Sequence, residues 1–160
     1  MSLTEAQLEA WGERVGASLR APAFIALRGD LGAGKSVLAR AIARGAGVTA
    51  AMPSPTFNLV FRYAAGAVDV VHLDLYRLER EDEVWELGWR ELGAAAEIVL
   101  VEWPERAESL LPEDRWDVHI GTTEPHLRTV MLQAYGSPPP LPPLPAGASQ
   151  EPAGSGERRT

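Results

Sequence analysis

Cysteine is absent from the 160-residue chain, and lysine almost absent: Lys35 is the only lysine beside 14 arginines. The lack of cysteine excludes disulfides and thiol chemistry and fits a reducing compartment. No apolar run approaches the roughly 18 residues that a membrane-spanning helix needs, and the acidic start of the chain does not resemble a signal peptide. We therefore predict a cytoplasmic location and no membrane partner.

A positive net charge is also missing, since the formal net charge is −7. A protein that binds bare nucleic acid by itself usually carries a basic patch. Any role with RNA is therefore expected to pass through partner proteins. Apolar residues make up 46% of the chain and charged residues 23%, which is typical of a globular domain with a core of its own.

Proline is concentrated at the end of the chain, where residues 137–160 hold seven of the 13 prolines. Such a segment has few backbone donors and little apolar surface, so we predict a disordered or polyproline tail. The tail is either dispensable or a docking segment for a proline-binding partner. The folded domain is expected to span residues 1–136.

The N-terminal part of the chain has the patterns of a helix, a strand, a loop and a second helix. Thr4 and Gln7 form a capping box at the start of the first helix. The apolar run at 23–27 is typical of a buried parallel strand. A glycine-rich loop then leads into the second helix, which Gly45 or Gly47 closes.

The rest of the domain combines strands with short helices. Two strand patterns within 56–76 flank the turn "AAGA", which predicts a β-hairpin, and residues 79–92 predict one acidic helix. A second buried strand is expected at 97–103, and "RWDVHIG" and "LRTVMLQAY" predict a closing antiparallel pair. These elements predict an α/β fold whose sheet is parallel at its centre, with antiparallel strands at one side.

The stretch "GDLGAGKS", residues 29–36, matches the phosphate-binding pattern G-x-x-x-x-G-K-[ST] between a strand and a helix. Its glycines let the backbone approach phosphate oxygens, and the helix N-terminus adds a partial positive charge. Lys35 is expected to reach the β and γ phosphates, and the Ser36 hydroxyl to ligate Mg²⁺. A compact ammonium suits this loop better than a planar guanidinium does, which accounts for the single lysine. The predicted nucleotide-binding loop residues are Gly32, Ala33, Gly34, Lys35, Ser36 and Val37.

A phosphate-binding enzyme also needs a carboxylate to hold Mg²⁺ or its water, and two are candidates. Glu102 ends an apolar strand, and Asp74 alternates with His72 along another. For each, the ordinary alternative is a solvated strand end. Thr56 offers a hydroxyl to the γ-phosphate or Mg²⁺, with a capped turn as an equal alternative. Trp103 is expected to pack beside the site.

Missing motifs bear on the type of nucleotide and on the class of protein. The chain has no N-K-x-D guanine-reading sequence, so ATP is favoured over GTP. It also has no arginine-rich lid of the kind that small-molecule kinases use. From the residues alone, an ATPase, a small-molecule kinase and a nucleotide-gated scaffold that needs no turnover all stay open.

Four stretches in a fixed order, "GDLGAGKS", "SPTF", "HLDLYRL" and "LVEWPER", resemble the TsaE (YjeE) family of bacterial tRNA threonylcarbamoyladenosine biosynthesis proteins. The resemblance covers about residues 3 to 135. One departure is Ser36, where the family usually has threonine, and both residues offer a hydroxyl to Mg²⁺.

This resemblance implies a small ATPase with a P-loop NTPase-like three-layer fold that acts with the TsaB and TsaD proteins. That machinery modifies the adenosine next to the anticodon, and ATP hydrolysis is expected to reset the TsaB–TsaD assembly between turnovers. The chain is then expected to contact tRNA only indirectly, through these partners. Carried over by motif, Ser36 and Glu102 ligate Mg²⁺, Asp74 and Thr56 lie at the γ-phosphate side, and Thr4 contacts the adenine end. Which of Asp74 and Glu102 positions the attacking water stays open.

Overall fold

The computed structural model describes residues 2–49, 52, 59–94 and 96–145. Helix α1 (Glu5–Ser18) precedes strand β1 (Ala23–Arg28), and helix α2 (Lys35–Ala46) follows it. The later strands are β2 (Val60–Ala64), β3 (Asp69–Asp74), β4 (Glu97–Glu102), β5 (Arg115–Glu124) and β6 (Leu127–Tyr135). Short 3₁₀ helices span Glu81–Leu87, Trp89–Glu91 and Pro104–Leu110. Within these described ranges, no helix has both the length and the apolar character to cross a membrane.

The described strands form one sheet in the order β2–β3–β4–β1–β5–β6. β3, β4, β1 and β5 run parallel to their neighbours in the centre. β2 pairs antiparallel with β3, and β6 pairs antiparallel with β5, as the hairpin and the closing pair predicted. The predicted α/β fold with a parallel centre is confirmed, and antiparallel strands lie at both edges of the sheet rather than at one side only.

Helices cover both faces of the sheet and produce the three layers that were predicted. One buried cluster lies on the face of α1 and α2 and includes Trp11 and Leu100. A second cluster lies on the opposite face, with the 3₁₀ helices, and includes Phe24 and Val101. Consecutive residues of β4 therefore contribute to different clusters, as the alternation of side chains along a strand requires.

Local signals explain where several helices begin and end. Thr4 Oγ1 accepts from the Gln7 amide at 3.2 Å, and the Thr4 amide donates to Gln7 Oε1 at 2.9 Å, which confirms the capping box of α1. α2 ends at Gly47, the second of the two candidates, in the left-handed conformation with φ 111°. The prediction of one helix over 79–92 is wrong, because Gly88, with φ 78°, separates two 3₁₀ helices there.

The first part of the proline-rich segment, residues 137–145, lies against the domain without forming a helix or strand. The indole N–H of Trp116 donates to the Pro139 carbonyl at 2.7 Å, and that of Trp11 donates to the Pro142 carbonyl at 3.1 Å. Side chains of this segment also pack against the first core cluster. The disordered tail stays a prediction for residues 146–160, which lie outside the described residues.

Candidate functional site

The loop at residues 29–34 connects β1 to α2 and forms the floor of the site. Gly29 has φ 153°, and a Cβ there would lie 2.4 Å from the carbonyl oxygen of Ile120, so no other residue fits. Gly34 is the N-cap of α2, with φ 110°. Because glycine has no side chain to cap a helix, the first amides of α2 are open to an anionic ligand.

Lys35 begins α2 and is buried, with only 4% of its surface exposed. Its Nζ donates to the carbonyl oxygens of Gly29 and Asp30, the latter at 3.0 Å. The same atom lies 3.9 Å from the centroid of the Trp103 ring. Burial lowers the pKa of Lys35, while the negative charge of Glu102 opposes this shift. The ammonium is therefore held within the loop, between backbone oxygens and an aromatic face.

Ser36 and Glu102 connect the start of α2 to the end of β4. Ser36 Oγ donates to Glu102 Oε1 at 2.8 Å and lies 3.1 Å from Oε2. Glu102 is 2% exposed, and its Oε2 lies 2.6 Å from His72 Nε2. The structure thus brings together the two predicted metal ligands, both of which offer oxygen, the ligand atom that Mg²⁺ prefers.

Asp74 lies beside Glu102, because the parallel register of β3 and β4 pairs these two residues at the strand ends. Its Oδ1 accepts from the Tyr76 amide at 3.0 Å. Burial raises the pKa of Asp74; the hydrogen bond from Tyr76 opposes this rise, and the charge of Glu102 adds to it. Two carboxylates with different environments therefore meet at one edge of the sheet.

A cavity of about 230 Å³ lies between the loop and these strand ends. Its lining comprises Leu31, the six predicted loop residues 32–37, Asp74, Tyr76, Glu102 and Trp103. The expectation that Trp103 packs beside the site is confirmed. The described residues that line the cavity do not include Thr4, whose hydroxyl caps α1, so its contact with adenine stays a prediction. Thr56 lies outside the described residues.

Sequence reasoning did not assign two contacts in this site. The first is the hydrogen bond between His72 and Glu102, and the second is the approach of the Lys35 ammonium to the Trp103 ring. The alternation of His72 with Asp74 was the available signal for the first contact, because it places both on one face of a strand. The contact between Lys35 and Trp103 had no such signal. Trp103 has φ 56°, a left-handed conformation that no local sequence pattern predicts.

The side chains present are complementary to a metal-bound triphosphate. The open amides of α2 and the buried Lys35 suit phosphate oxygens, and Ser36 and Glu102 suit Mg²⁺. In the part of the chain that the structure describes, no three His, Cys, Asp or Glu side chains group to hold a metal alone. A Mg²⁺ ion here would need further ligands, and in nucleotide sites it usually takes them from phosphates and water.

A larger cavity, of about 460 Å³, lies around the start of β1, at the far end of that strand from the loop. Phe24, Trp89 and Leu110 contribute apolar surface to it, and Asp114 contributes a carboxylate. The described residues that line it include no lysine or arginine. Without a cation it is a poor site for phosphate, so the smaller cavity at the loop is the candidate functional site.

Comparisons with known proteins agree with the motifs in this cavity. The family model described as threonylcarbamoyl adenosine biosynthesis protein TsaE matches residues 2–130. The tRNA threonylcarbamoyladenosine biosynthesis protein TsaE of Bacillus subtilis is 35% identical over 113 residues, which cover 71% of this chain and 70% of that protein. The protein of the same name from Synechocystis is 40% identical over 103 residues, which cover 62% of this chain and 66% of that protein.

A solved structure has a similar fold. The crystal structure of Bacillus subtilis YdiB aligns with a TM-score of 0.60 at 25% sequence identity. The alignment covers 79% of this chain and 77% of that one. With a family model that spans the phosphate loop, Asp74 and Glu102, the chain belongs to the TsaE family.

Proposed function

We propose that the chain binds ATP and Mg²⁺ at the phosphate loop and hydrolyses ATP as a component of tRNA threonylcarbamoyladenosine biosynthesis. Membership of the TsaE family supports the pathway. The single observation that carries the nucleotide chemistry is the hydrogen bond of 2.8 Å between Ser36 and Glu102, next to the buried Lys35. A hydroxyl and a carboxylate in contact beside a phosphate loop are the pair that nucleotide-hydrolysing sites use for magnesium.

The loop and its lysine are assigned to phosphate binding. The amides of residues 32–37 would hold the phosphate oxygens, and Lys35 would reach the β and γ phosphates. Ser36 Oγ and Glu102 would ligate Mg²⁺, which when bound supplies positive charge that neutralises the phosphates. Thr56 is assigned to the γ-phosphate side by its motif alone.

We assign the attacking water to Asp74 and the metal to Glu102. Both carboxylate oxygens of Glu102 already lie within hydrogen-bond distance of Ser36 or His72. Asp74 stands beside it on the neighbouring strand and lines the same cavity. A carboxylate in that position can accept a proton from a water molecule that attacks the γ-phosphate.

The proposed target of this ATPase is the TsaB–TsaD assembly, which hydrolysis resets between turnovers. The net charge of −7 supports contact with tRNA through these partners, because a phosphate backbone attracts basic surfaces. The folded domain supplies the nucleotide site, and the partners supply the chemistry on adenosine.

Phosphate release from ATP, measured with and without purified TsaB and TsaD, tests this proposal. We expect a slow rate that rises with both partners and falls at least about tenfold in Glu102→Gln, because magnesium loses a charged ligand. Glu97→Gln is a matched control, since Glu97 is a buried glutamate on the same strand whose partners are Arg62 and the Gly93 amide. That variant should keep the rate.

The same assay separates the alternatives. Transfer of the phosphoryl group from ATP to a small molecule would show that the protein is a kinase and not an ATPase. Tight ATP binding with no turnover, with or without the partners, would favour a nucleotide-gated scaffold. Equal rates for the wild type and Glu102→Gln would contradict the assignment of Glu102.

A further inference from the structure

We propose that His72 is a positioning residue, which holds the carboxylate of Glu102 in the orientation that binds magnesium. The inference rests on the proposed Mg²⁺ and ATP site and extends it to a buried side chain behind that site. His72 Nε2 lies 2.6 Å from Glu102 Oε2, and both side chains are almost wholly buried.

The sheet places His72 in this position through register and alternation. β3 and β4 are parallel, and their register pairs His72 with Leu100 and Asp74 with Glu102. Side chains two residues apart share a face of a strand. His72 therefore lies one step below Asp74 on the face that carries the site, while Leu73 between them enters the core cluster on the opposite face.

The hydrogen bonds on Glu102 show what His72 contributes. A carboxylate that ligates a metal is ionised and only accepts hydrogen bonds, so in the proposed site His72 carries its N–H at Nε2 and donates it to Glu102. Ser36 contacts the same carboxylate from α2, so the group is bracketed by one partner from a helix and one from a neighbouring strand. A serine hydroxyl that ligates a metal through a lone pair keeps its O–H, so Ser36 and His72 can hold Glu102 from two sides while the metal is bound. Partners of this kind typically change metal affinity by about 10- to 100-fold.

The competing explanation is that His72 only stabilises the fold. A buried imidazole bound to a buried carboxylate would then matter for folding and not for magnesium. The two explanations differ in one measurable quantity, the gain in nucleotide affinity on adding Mg²⁺. A structural role leaves that gain unchanged in any variant that folds, whereas a positioning role reduces it.

The test measures the affinity of a fluorescent ATP analogue (mant-ATP) in EDTA and in Mg²⁺ for the wild type and three His72 variants. Glutamine places an amide N–H near the position of Nε2, and asparagine places one near Nδ1, too short to reach Glu102. We expect His72→Asn and His72→Ala to reduce the gain from Mg²⁺ about tenfold, with unchanged affinity in EDTA. His72→Gln should restore most of the gain.

Val71→Ala is the matched control, because Val71 is fully buried on the same strand and belongs to the opposite core cluster. It should lose stability and keep the full gain from Mg²⁺. An unreduced gain in His72→Asn would overturn the positioning role, as would an equal reduction in His72→Asn and His72→Gln. If the wild type shows no gain from Mg²⁺, the proposed metal site itself fails and the role of His72 with it. If His72→Ala does not fold, the comparison of Asn with Gln decides.

Discussion

Ser36 Oγ lies 2.8 Å from Glu102 Oε1, although 66 positions separate the two residues in the chain. The contact exists because β1 and β4 are adjacent and parallel, so the loop that follows β1 and the end of β4 lie at the same edge of the sheet. Ligand sites of open α/β sheets form at this edge. The contact therefore joins a local motif to a distant carboxylate.

Substitution of Ser36 should separate metal binding from phosphate binding. Ser36→Ala removes a proposed ligand, so we expect the gain in ATP affinity on adding Mg²⁺ to fall about tenfold or more. Ser36→Thr keeps a hydroxyl and should retain the gain. Calorimetric titration of ATP with and without Mg²⁺ measures both. Full retention of the gain in Ser36→Ala would remove this hydroxyl from the metal site.

Exchange of Lys35 for arginine should weaken ATP binding even though the charge is kept. Nζ is enclosed by two loop carbonyls and the Trp103 ring, and a planar guanidinium is too broad for that space. Loss of the charged contacts to phosphate is expected to reduce affinity about tenfold or more, equivalent to about 1.4 kcal/mol. The titration is made in EDTA to exclude metal effects. An unchanged affinity would show that the size of the cation does not explain the single lysine.

Removal of residues 137–145 of the proline-rich segment should lower the stability of the domain. Truncation after Gly136 removes the acceptors of the Trp11 and Trp116 indoles and the buried surface of Leu141 and Leu144. We expect a loss of about 2 to 4 kcal/mol in the free energy of unfolding, measured in urea. Truncation after residue 145 is the control and should have little effect. Equal stability of both truncated chains would show that residues 137–145 contribute nothing.

The pair of Arg28 and Glu108 should make stability depend on pH in acid. Arg28 donates two hydrogen bonds to Glu108, at 2.8 and 2.9 Å, and they hold the pKa of Glu108 below its ordinary value of 4.5. The unfolded chain then binds this proton more readily, so the contribution is present above pH 4.5 and is lost as the pH falls through the lowered pKa.

Glu108→Gln should therefore have a lower free energy of unfolding than the wild type at pH 7. At about pH 3 the difference between the two proteins should be smaller. Urea unfolding at the two pH values measures it. We predict only the sign of this change and not its size, because Glu108 is half exposed and solvent screens its pair with Arg28. A difference that stays constant between the two pH values would argue against a pKa shift.

Local patterns were sufficient to predict several parts of the molecule. The capping box at Thr4 is confirmed, and the glycine-rich loop before Lys35 lies between a strand and a helix as predicted, while its binding of phosphate stays a prediction. Glu102 was a candidate because it ends an apolar strand pattern, and Asp74 because it alternates with His72 along another; the parallel register of β3 and β4 places the two side by side. Local signals therefore identified residues that the structure brings together around one cavity, and their roles in binding and catalysis stay predictions.

What the sequence did not show depends on contacts between distant segments. The bond from His72 to Glu102 requires β3 and β4 to be neighbours in one register, which alternation alone does not specify. Proline content predicted a disordered or polyproline tail, and it did not show that residues 137–145 pack against the domain through contacts such as that of Trp11 with Pro142. Gly88 lies within an apparent helix, and its residue type was the available signal for the break, because glycine adopts the left-handed conformation that ends the first 3₁₀ helix.

The most direct test of the central claim is a crystal structure of the chain with Mg²⁺ and a non-hydrolysable ATP analogue. The account predicts phosphates against the amides of residues 32–37, with the metal ion in contact with both Ser36 Oγ and the Glu102 carboxylate. It also predicts that His72 Nε2 stays bonded to Glu102. A nucleotide bound in the larger cavity beside Phe24 and Trp89, or a metal ion that contacts neither Ser36 nor Glu102, would contradict it.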